Sequence, residues 1–317
     1  MCIRDRSKGI SVSNITNTLM NDDVHSKFNA VSILKNYFSL LKPRVMSLSI
    51  FTSLVGIMIA PGFVFNLEVL IILFAISIGS GASGALNMWY ERDLDKLMER
   101  TKDRVLPLGK IKPNHALIFG LFLSILSVGI LYLFSNILAA SILALTIFFY
   151  IFIYTIWLKK RTPQNIVIGG AAGAFPPMIG WVAIAGSLSI EILLIFTIIF
   201  VWTPPHFWAL ALYKSDDYRR ANIPMMPLIV GNKKTVDLII VYSLILMPVV
   251  MSLSFYYSMF YSISIFTLSS IFVYLSITLK LGLNKPGFEK KAQNLFFFSI
   301  FYLFNIFSII LIDNTIW

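Results

Sequence analysis

Nine apolar stretches, each about 20 residues long, dominate this chain. A stretch of that length crosses the roughly 30 Å of hydrocarbon in a lipid bilayer. Because lipid offers no hydrogen-bond partner to a free backbone, each such stretch must be a helix. The sequence therefore predicts nine membrane-spanning helices, over residues 46–64, 67–88, 115–134, 136–157, 165–185, 189–213, 236–257, 261–282 and 293–312.

The basic residues segregate to one side of this arrangement. Helices that alternate in direction place the N-terminus and the connections near 89–114, 158–164, 214–235 and 283–292 together, and all 26 Lys and Arg residues fall on or beside that side. The positive-inside rule assigns it to the cytoplasm. We expect an integral protein of a bacterial cytoplasmic (inner) membrane, with a cytoplasmic N-terminus and an external C-terminus.

The composition excludes several classes of protein. Residues of the AVILMFWYC set make up 57% of the chain and charged residues only 13%, which excludes a soluble enzyme and a disordered chain. The excess of 26 basic over 15 acidic residues would suggest nucleic-acid binding in a soluble protein. Here it is a topology signal, so no nucleic-acid partner is predicted. The single cysteine, Cys2, excludes an intramolecular disulfide.

Two parts of the chain differ in character. Residues 1–30 lack the continuous apolar core of a signal peptide. We therefore expect residues 1–40 to be a flexible cytoplasmic segment. Residues 41–317 are expected to form a single all-α, polytopic membrane domain.

The second predicted span ends in a stripe of oxygen-bearing side chains. Asn87, Glu91 and Asp95 stand four residues apart, which places them on one face of a helix. Stacked carboxylates repel each other unless a cation lies between them, and such ligands suit Mg²⁺ bound together with substrate phosphates. A solvated, salt-bridged helix end fits the spacing equally well. The start of the stripe inside an apolar span favours a functional site.

Basic residues that could bind phosphate follow this stripe. Arg100 and Arg104 are again four residues apart, and a guanidinium group can donate two hydrogen bonds to phosphate oxygens.

The sixth predicted span contains Pro204-Pro205-His206 near its end. Two consecutive prolines remove backbone donors, so we expect them to break the helix and to line a cavity there. A buried histidine is often structural. Its position after the predicted break favours a functional role for His206.

The motif Asn87-x3-Glu91-x3-Asp95 resembles the N-x-x-x-[DE]-x-x-x-D motif of the UbiA superfamily of intramembrane prenyltransferases. The resemblance covers about residues 40–315 and implies a bundle of nine helices around a central cavity. It also implies Mg²⁺ as cofactor and a prenyl diphosphate as substrate.

A second resemblance concerns the branch of that superfamily that farnesylates haem. The loop after the sixth span lacks a second D-x-x-x-D motif, since Arg220 stands four residues after Asp216. Instead, Pro205-His206-Phe207 and the run from Asp217-Tyr218 to Pro224-Met225-Met226-Pro227 are similar to that branch. This implies transfer of a farnesyl group from farnesyl diphosphate to a vinyl group of haem b. The expected partners are these two substrates, the bilayer, and a downstream haem A synthase or oxidase assembly.

The resemblance also suggests roles for particular residues. Metal binding is assigned to Asn87, Glu91 and Asp95, which with Arg104 and Asp217 form the expected catalytic group. Diphosphate binding is assigned to Arg100, Arg104, Lys160 and Arg161. Haem binding is assigned to His206, Tyr154 and Tyr218.

Two alternatives remain open from the sequence. A related prenyltransferase acting on a quinone precursor or a lipid would share the fold and the metal chemistry. A transporter would also carry polar groups within the membrane, but near its midplane and with internal repeats. The acids of this chain cluster instead at predicted cytoplasmic helix ends, which disfavours a transporter.

Overall fold

The computed structural model describes residues 30–316, and this part of the chain is all-α. The α-helices are α1 (Ala30–Leu40), α2 (Pro43–Met58), α3 (Leu67–Asp95), α4 (Pro113–Phe134), α5 (Ile137–Phe148), α6 (Asn165–Gly169), α7 (Ala171–Ala185), α8 (Ile190–Tyr213), α9 (Ser215–Arg220), α10 (Met226–Met251), α11 (Met259–Leu281) and α12 (Phe288–Ile316). A π-helix, Phe149–Leu158, continues α5, and a 3₁₀ turn, Ser252–Phe255, follows α10.

The membrane-spanning architecture is confirmed. Over residues 30–316, eight helical segments are long and apolar enough to cross a membrane, and α1 with α2 provides a ninth when this pair is counted as one span. The two helices of the pair are bent by 58° relative to each other. The protein is therefore an integral membrane protein with the predicted helix order. Most of the predicted segment 1–40 lies outside the described residues, and its last part forms α1.

Side-chain caps and prolines set several helix starts. Asn66 accepts a hydrogen bond from the Val69 backbone N–H at 3.0 Å where α3 begins, and Asn136 accepts one from Ala139 at 2.9 Å where α5 begins. Such caps satisfy backbone donors that have no partner within the helix. Pro43 begins α2 for a different reason: proline lacks a backbone N–H, and the first helical position needs none.

The predicted break at Pro204 and Pro205 is wrong. Helix α8 continues through both prolines to Tyr213. Each proline removes one backbone hydrogen bond, and membrane helices tolerate this when neighbouring helices support them. Helices α7, α10 and α12 pack against α8 and supply that support.

Helices α2 and α7 approach each other closely at two glycines. A Cβ atom added at Gly56 would lie 2.1 Å from the carbonyl oxygen of Pro177, and one added at Gly180 would lie 2.4 Å from that of Ser53. Small residues therefore permit this contact, as is common between membrane helices. The contact fixes α7 as a wall of the central cavity.

Candidate active site

A cavity of about 970 Å³ lies between the helices, with walls from α2, α3, α5, the π-helix, α7, α8 and α12. This volume is at the upper end of the usual range for ligand sites. Its walls are mainly apolar, and its polar side chains come largely from one end of the bundle. That end, where α3 and α8 finish and α12 begins, is called the cavity end below.

The stripe Asn87, Glu91 and Asp95 lines this cavity. All three side chains are on α3, and the residues are only 3%, 4% and 2% exposed. Carboxylates are rarely buried to this degree without partners, because removal from water strongly disfavours a charge. Their location therefore needs compensating cations.

Lys159 and Arg104 provide this compensation for the two carboxylates, and Lys42 contacts the neutral amide of Asn87. Lys42 Nζ donates to Asn87 Oδ1 at 2.5 Å, Lys159 Nζ donates to Glu91 Oε1 at 2.5 Å, and Arg104 Nη1 lies 2.9 and 2.8 Å from the two carboxylate oxygens of Asp95. The cations come from three separate segments of the chain. They thus surround the stripe on the cavity side with donors that could also bind a phosphate group.

The donor set of the stripe fits a hard divalent cation. An amide oxygen and two carboxylates on one helix face are oxygen ligands of the kind that Mg²⁺ prefers, with the remaining positions left to water and phosphate. The second donor of Asn87 is already used, since its Nδ2 donates to Thr155 Oγ1 at 3.0 Å. This bond orients the Asn87 oxygen away from Thr155 and towards Lys42.

The π-helix explains which lysine reaches the stripe. Lys159 lines the cavity, whereas Lys160 and Arg161 are exposed and do not line it. The Lys159 backbone N–H bonds to the Tyr154 carbonyl five residues earlier, the spacing of a π-turn. This spacing places Lys159 over the same side of the helix as Tyr154. The four-residue spacing of an α-helix would place Leu158 there instead.

Lys42 reaches Asn87 through an unusual backbone conformation. It has a φ of 54° and directly precedes Pro43, the first residue of α2. A residue before proline is disfavoured in the right-handed helical region, so the chain turns sharply here. From the sequence, Lys42 is only one of the basic residues that indicate the cytoplasmic side. Its position before Pro43 is the one local feature that could have indicated a fixed side chain.

The arginines and tyrosine at the mouth of the cavity come from the loop after α3 and from the short helix α9. Arg100 and Arg104 follow α3, and Tyr218 lies on α9; all three line the cavity. Burial raises the pKa of Tyr218 above its usual value, so its hydroxyl stays protonated and can donate a hydrogen bond.

Asp217 is buried beside Tyr218 but does not line the cavity. Its Oδ1 accepts hydrogen bonds from the Glu99 backbone N–H at 3.3 Å and from Arg220 Nη2 at 2.6 Å. These bonds connect α9 to the loop after α3. Asp217 therefore positions the loop that holds Arg100 relative to α9, which holds Tyr218.

His206 and Tyr154 line the cavity from two different helices. His206 lies on α8, where it is 7% exposed and lines the cavity. Tyr154 lines it from the π-helix and stacks on Tyr150, with ring centroids 5.5 Å apart. A Cβ atom at Gly169 would come within 2.2 Å of the Tyr154 ring, so a glycine is needed there.

Together, fold and site define a polytopic membrane protein whose central cavity ends in buried, cation-paired carboxylates. The chain belongs to the UbiA prenyltransferase family, whose sequence model matches residues 49–305.

Curated relatives cover nearly the whole chain. The protoheme IX farnesyltransferase of Parvibaculum lavamentivorans is 49% identical over 286 residues, which cover 89% of both chains. The protein of the same name from Pelagibacter ubique is 51% identical over 289 residues, covering 88% of this chain and 93% of that one. That from Bartonella bacilliformis is 48% identical over 305 residues, covering 96% and 98%.

Solved structures share the fold at lower identity. A structure described for digeranylgeranylglyceryl phosphate synthase has a TM-score of 0.74 at 20% identity, covering 89% of this chain and 98% of that one. A UbiA homolog from Archaeoglobus fulgidus bound to GPP and Mg²⁺ has a TM-score of 0.59 at 15% identity, covering 87% and 99%. At these identities the likeness concerns the fold alone.

Proposed function

We propose that this chain transfers the farnesyl group of farnesyl diphosphate to a vinyl group of haem b, forming haem O and diphosphate. The observation that carries the proposal is a single cavity with two chemically different regions. One region is the cation-paired stripe Asn87, Glu91 and Asp95, and the other is an aromatic wall around His206. Relatives named protoheme IX farnesyltransferase, about half identical over most of the chain, support this choice of substrates.

The reaction breaks the carbon–oxygen bond of farnesyl diphosphate and the π bond of the vinyl group, and it forms one carbon–carbon bond and one new carbon–oxygen bond. The bond between farnesyl C1 and the diphosphate oxygen breaks, and its electron pair leaves with diphosphate. The terminal vinyl carbon of haem b forms the new bond to C1. Water adds to the other vinyl carbon and releases a proton, which gives a hydroxyethylfarnesyl substituent. The protein must therefore stabilise charge on the leaving diphosphate and exclude stray water from C1.

Asn87, Glu91 and Asp95 are the residues that would hold Mg²⁺. When bound, Mg²⁺ would neutralise the charge that develops on the leaving oxygens. The three residues supply oxygen ligands from one rigid helix, so their spacing is fixed before substrate enters.

We assign diphosphate binding to the cations of the site. Lys42, Lys159 and Arg104 now contact the stripe, and each can turn a donor towards phosphate when a metal ion satisfies the carboxylates. Arg100 lines the mouth and adds a fourth donor. Lys160 and Arg161 are exposed beyond the cavity, and we assign them an outer role in attracting anionic substrates.

The apolar part of the cavity accommodates the farnesyl chain and the porphyrin. A Cβ atom at Gly173, which lines the cavity from α7, would meet no other atom within 4 Å. The wall is therefore open at this position and can accept a flat ring. Tyr154, His206 and Tyr218 contact the haem in this proposal.

The charge distribution supports a location in the bacterial cytoplasmic membrane, with the cavity end and the N-terminus facing the cytoplasm. Farnesyl diphosphate, an anionic cytosolic compound, would then reach the basic mouth directly. The farnesyl chain makes the haem product more lipophilic, which would keep it in the membrane for transfer to a haem A synthase or an oxidase under assembly.

The decisive experiment offers two acceptors to the same membrane preparation. Membranes containing the protein are incubated with farnesyl diphosphate and Mg²⁺, together with either haem b or 4-hydroxybenzoate, and products are identified by mass spectrometry. We expect haem O only in the haem b sample, and its loss on chelation of the metal. Prenylated benzoate, or no haem O, would contradict the proposal.

A further inference from the structure

The imidazole ring of His206 is held in one orientation by aromatic contacts with two neighbouring side chains. Its ring stacks between Trp202, at 4.3 Å between centroids, and Phe296, at 4.7 Å, with interplanar angles of 19° and 25°. Trp202 is itself fixed, because its Nε1 donates to the Ser299 carbonyl oxygen at 2.8 Å. The plane of the imidazole is therefore set by α8 and α12 together.

The proton on the imidazole can be assigned from its neighbour. His206 Nδ1 lies 2.6 Å from Ser299 Oγ, and that same Oγ lies 2.6 Å from the Phe296 carbonyl oxygen. Two oxygens this close need a hydrogen atom between them, and only the serine hydroxyl can supply one. The single hydroxyl hydrogen of Ser299 is therefore donated to the Phe296 carbonyl oxygen. Nδ1 must then carry the hydrogen that it shares with Ser299.

This assignment leaves Nε2 unprotonated, because a neutral imidazole carries only one N–H. Among the described residues, Nε2 has no hydrogen-bond partner, and this atom is not fully buried. His206 lines the cavity, so Nε2 offers a lone pair on the exposed edge of a clamped ring. An imidazole nitrogen in this state is the usual protein ligand of haem iron.

We propose that Ser299 fixes His206 as the Nδ1–H tautomer and that Nε2 binds the iron of the haem substrate. The inference rests on the proposed function, since it takes haem b as the acceptor. Ser299 acts as a positioning residue: it touches neither substrate, but it sets which nitrogen faces the cavity and in which direction. Because the imidazole plane is fixed, iron ligation also fixes the porphyrin plane relative to the metal site. The vinyl group is thereby presented to farnesyl C1 in one orientation.

The test is a haem titration of the purified full-length protein in detergent, followed by absorption and resonance Raman spectra. We expect the wild type to show a histidine-ligated Soret band and an iron–histidine vibration. His206→Ala should lose both, and added imidazole should restore them. Ser299→Ala should weaken haem affinity by about 10-fold, as is typical when the partner of a metal-bound histidine is removed. Ser299→Thr, which keeps the hydroxyl, should retain the wild-type affinity and spectrum.

Ser308→Ala provides a matched control on the same helix. Ser308 is half-buried and donates to a helix carbonyl, Phe304 O, as Ser299 does to Phe296 O, but it is remote from His206. Its haem affinity and spectrum should equal those of the wild type. Binding of inorganic pyrophosphate with Mg²⁺, measured on every variant, verifies that the cavity end is intact.

The outcomes separate this inference from the proposed function. If the wild type neither binds haem b nor produces haem O, the proposed function fails. If haem O is formed but the wild-type complex lacks an iron–histidine vibration, iron ligation by His206 is wrong. If His206→Ala loses the spectrum while Ser299→Ala keeps full affinity, the assignment of the tautomer to Ser299 is wrong.

Discussion

Buried or half-buried carboxylates lie at both ends of the helix bundle, but their partners differ. At the cavity end, Glu91 and Asp95 are paired with Lys159 and Arg104. At the opposite end, called the far end below, the partners are neutral. There Tyr257 Oη donates to Glu191 Oε1 at 2.5 Å, and Asp313 accepts from the backbone N–H and the hydroxyl of Ser258.

This difference separates a reactive site from an anchor. A carboxylate paired with a mobile cationic side chain can exchange that partner for a metal ion, while the cation turns to a phosphate. A carboxylate bonded to a backbone N–H cannot make that exchange without loss of local structure. Asp313 joins the end of α12 to the start of α11. We therefore infer that the far end holds helices together, and we expect the chemistry at the cavity end.

The largest expected contrast is between Asp95→Asn and Asp313→Asn. Loss of the Asp95 charge weakens metal binding and leaves Arg104 without its carboxylate, so we expect turnover to fall by about 100-fold or more. Asp313→Asn keeps an oxygen acceptor for Ser258 and should retain most activity. The measurement is haem O formation by membranes containing equal amounts of each variant. Equal losses in the two variants would remove the distinction between the two ends.

Lys159→Gln and Lys280→Gln compare a largely buried lysine at the cavity end with an exposed one. Lys159 is a buried partner of Glu91, and its replacement should lower kcat/KM for farnesyl diphosphate by about 10-fold or more, because a buried charge is left unpaired. Lys280→Gln is the control, since Lys280 forms an exposed ion pair with Asp237 at 2.7 Å. Exposed pairs contribute little, so this variant should match the wild type. A wild-type kcat/KM for Lys159→Gln would exclude it from diphosphate binding.

The sequence predicted the helical framework well because span length and charge segregation are properties of long segments. It also predicted that Asn87, Glu91 and Asp95 lie on one face of a helix, and in the structure all three lie on α3 and line the cavity. The partners of the stripe were harder to predict. Lys159 depends on a π-helix and Lys42 on a left-handed turn, and neither follows from α-helical periodicity.

The prolines of α8 show a different limit. Local propensity predicted a break at Pro204 and Pro205, but packing against three helices outweighs the loss of two backbone hydrogen bonds. The role of Ser299 was beyond sequence reasoning for a related reason. It lies 93 residues from His206, and only the packing of α12 on α8 brings the two together.

Asp313→Ala is expected to affect stability rather than catalysis. The substitution leaves the N–H and hydroxyl of Ser258 without their acceptor, which costs about 1–3 kcal/mol of unfolding free energy. Thermal unfolding in detergent should show a lower midpoint. The activity of the folded fraction, measured below that midpoint, should equal the wild-type value. A loss of activity without a lower midpoint would place chemistry at the far end.

The smallest expected effect concerns two tyrosines. Tyr218→Phe removes a hydrogen-bond donor at the mouth and should lower kcat/KM for haem b by less than about 10-fold. Tyr257→Phe removes the bond to Glu191 and should leave kcat/KM unchanged. Because the pKa of Tyr218 is raised, its hydroxyl stays protonated, and the difference between wild type and Tyr218→Phe should be constant between about pH 7 and 9. A difference that disappears at the higher pH would contradict this role.

The central claim is that the paired carboxylates and the wall around His206 serve two substrates in one cavity. The most direct measurement is a structure of the protein with Mg²⁺, haem b and an unreactive thio analogue of farnesyl diphosphate. We expect the diphosphate analogue beside Asn87, Glu91 and Asp95, with haem in the same cavity and its iron at His206. Haem bound outside this cavity, or the diphosphate bound away from the stripe, would contradict it.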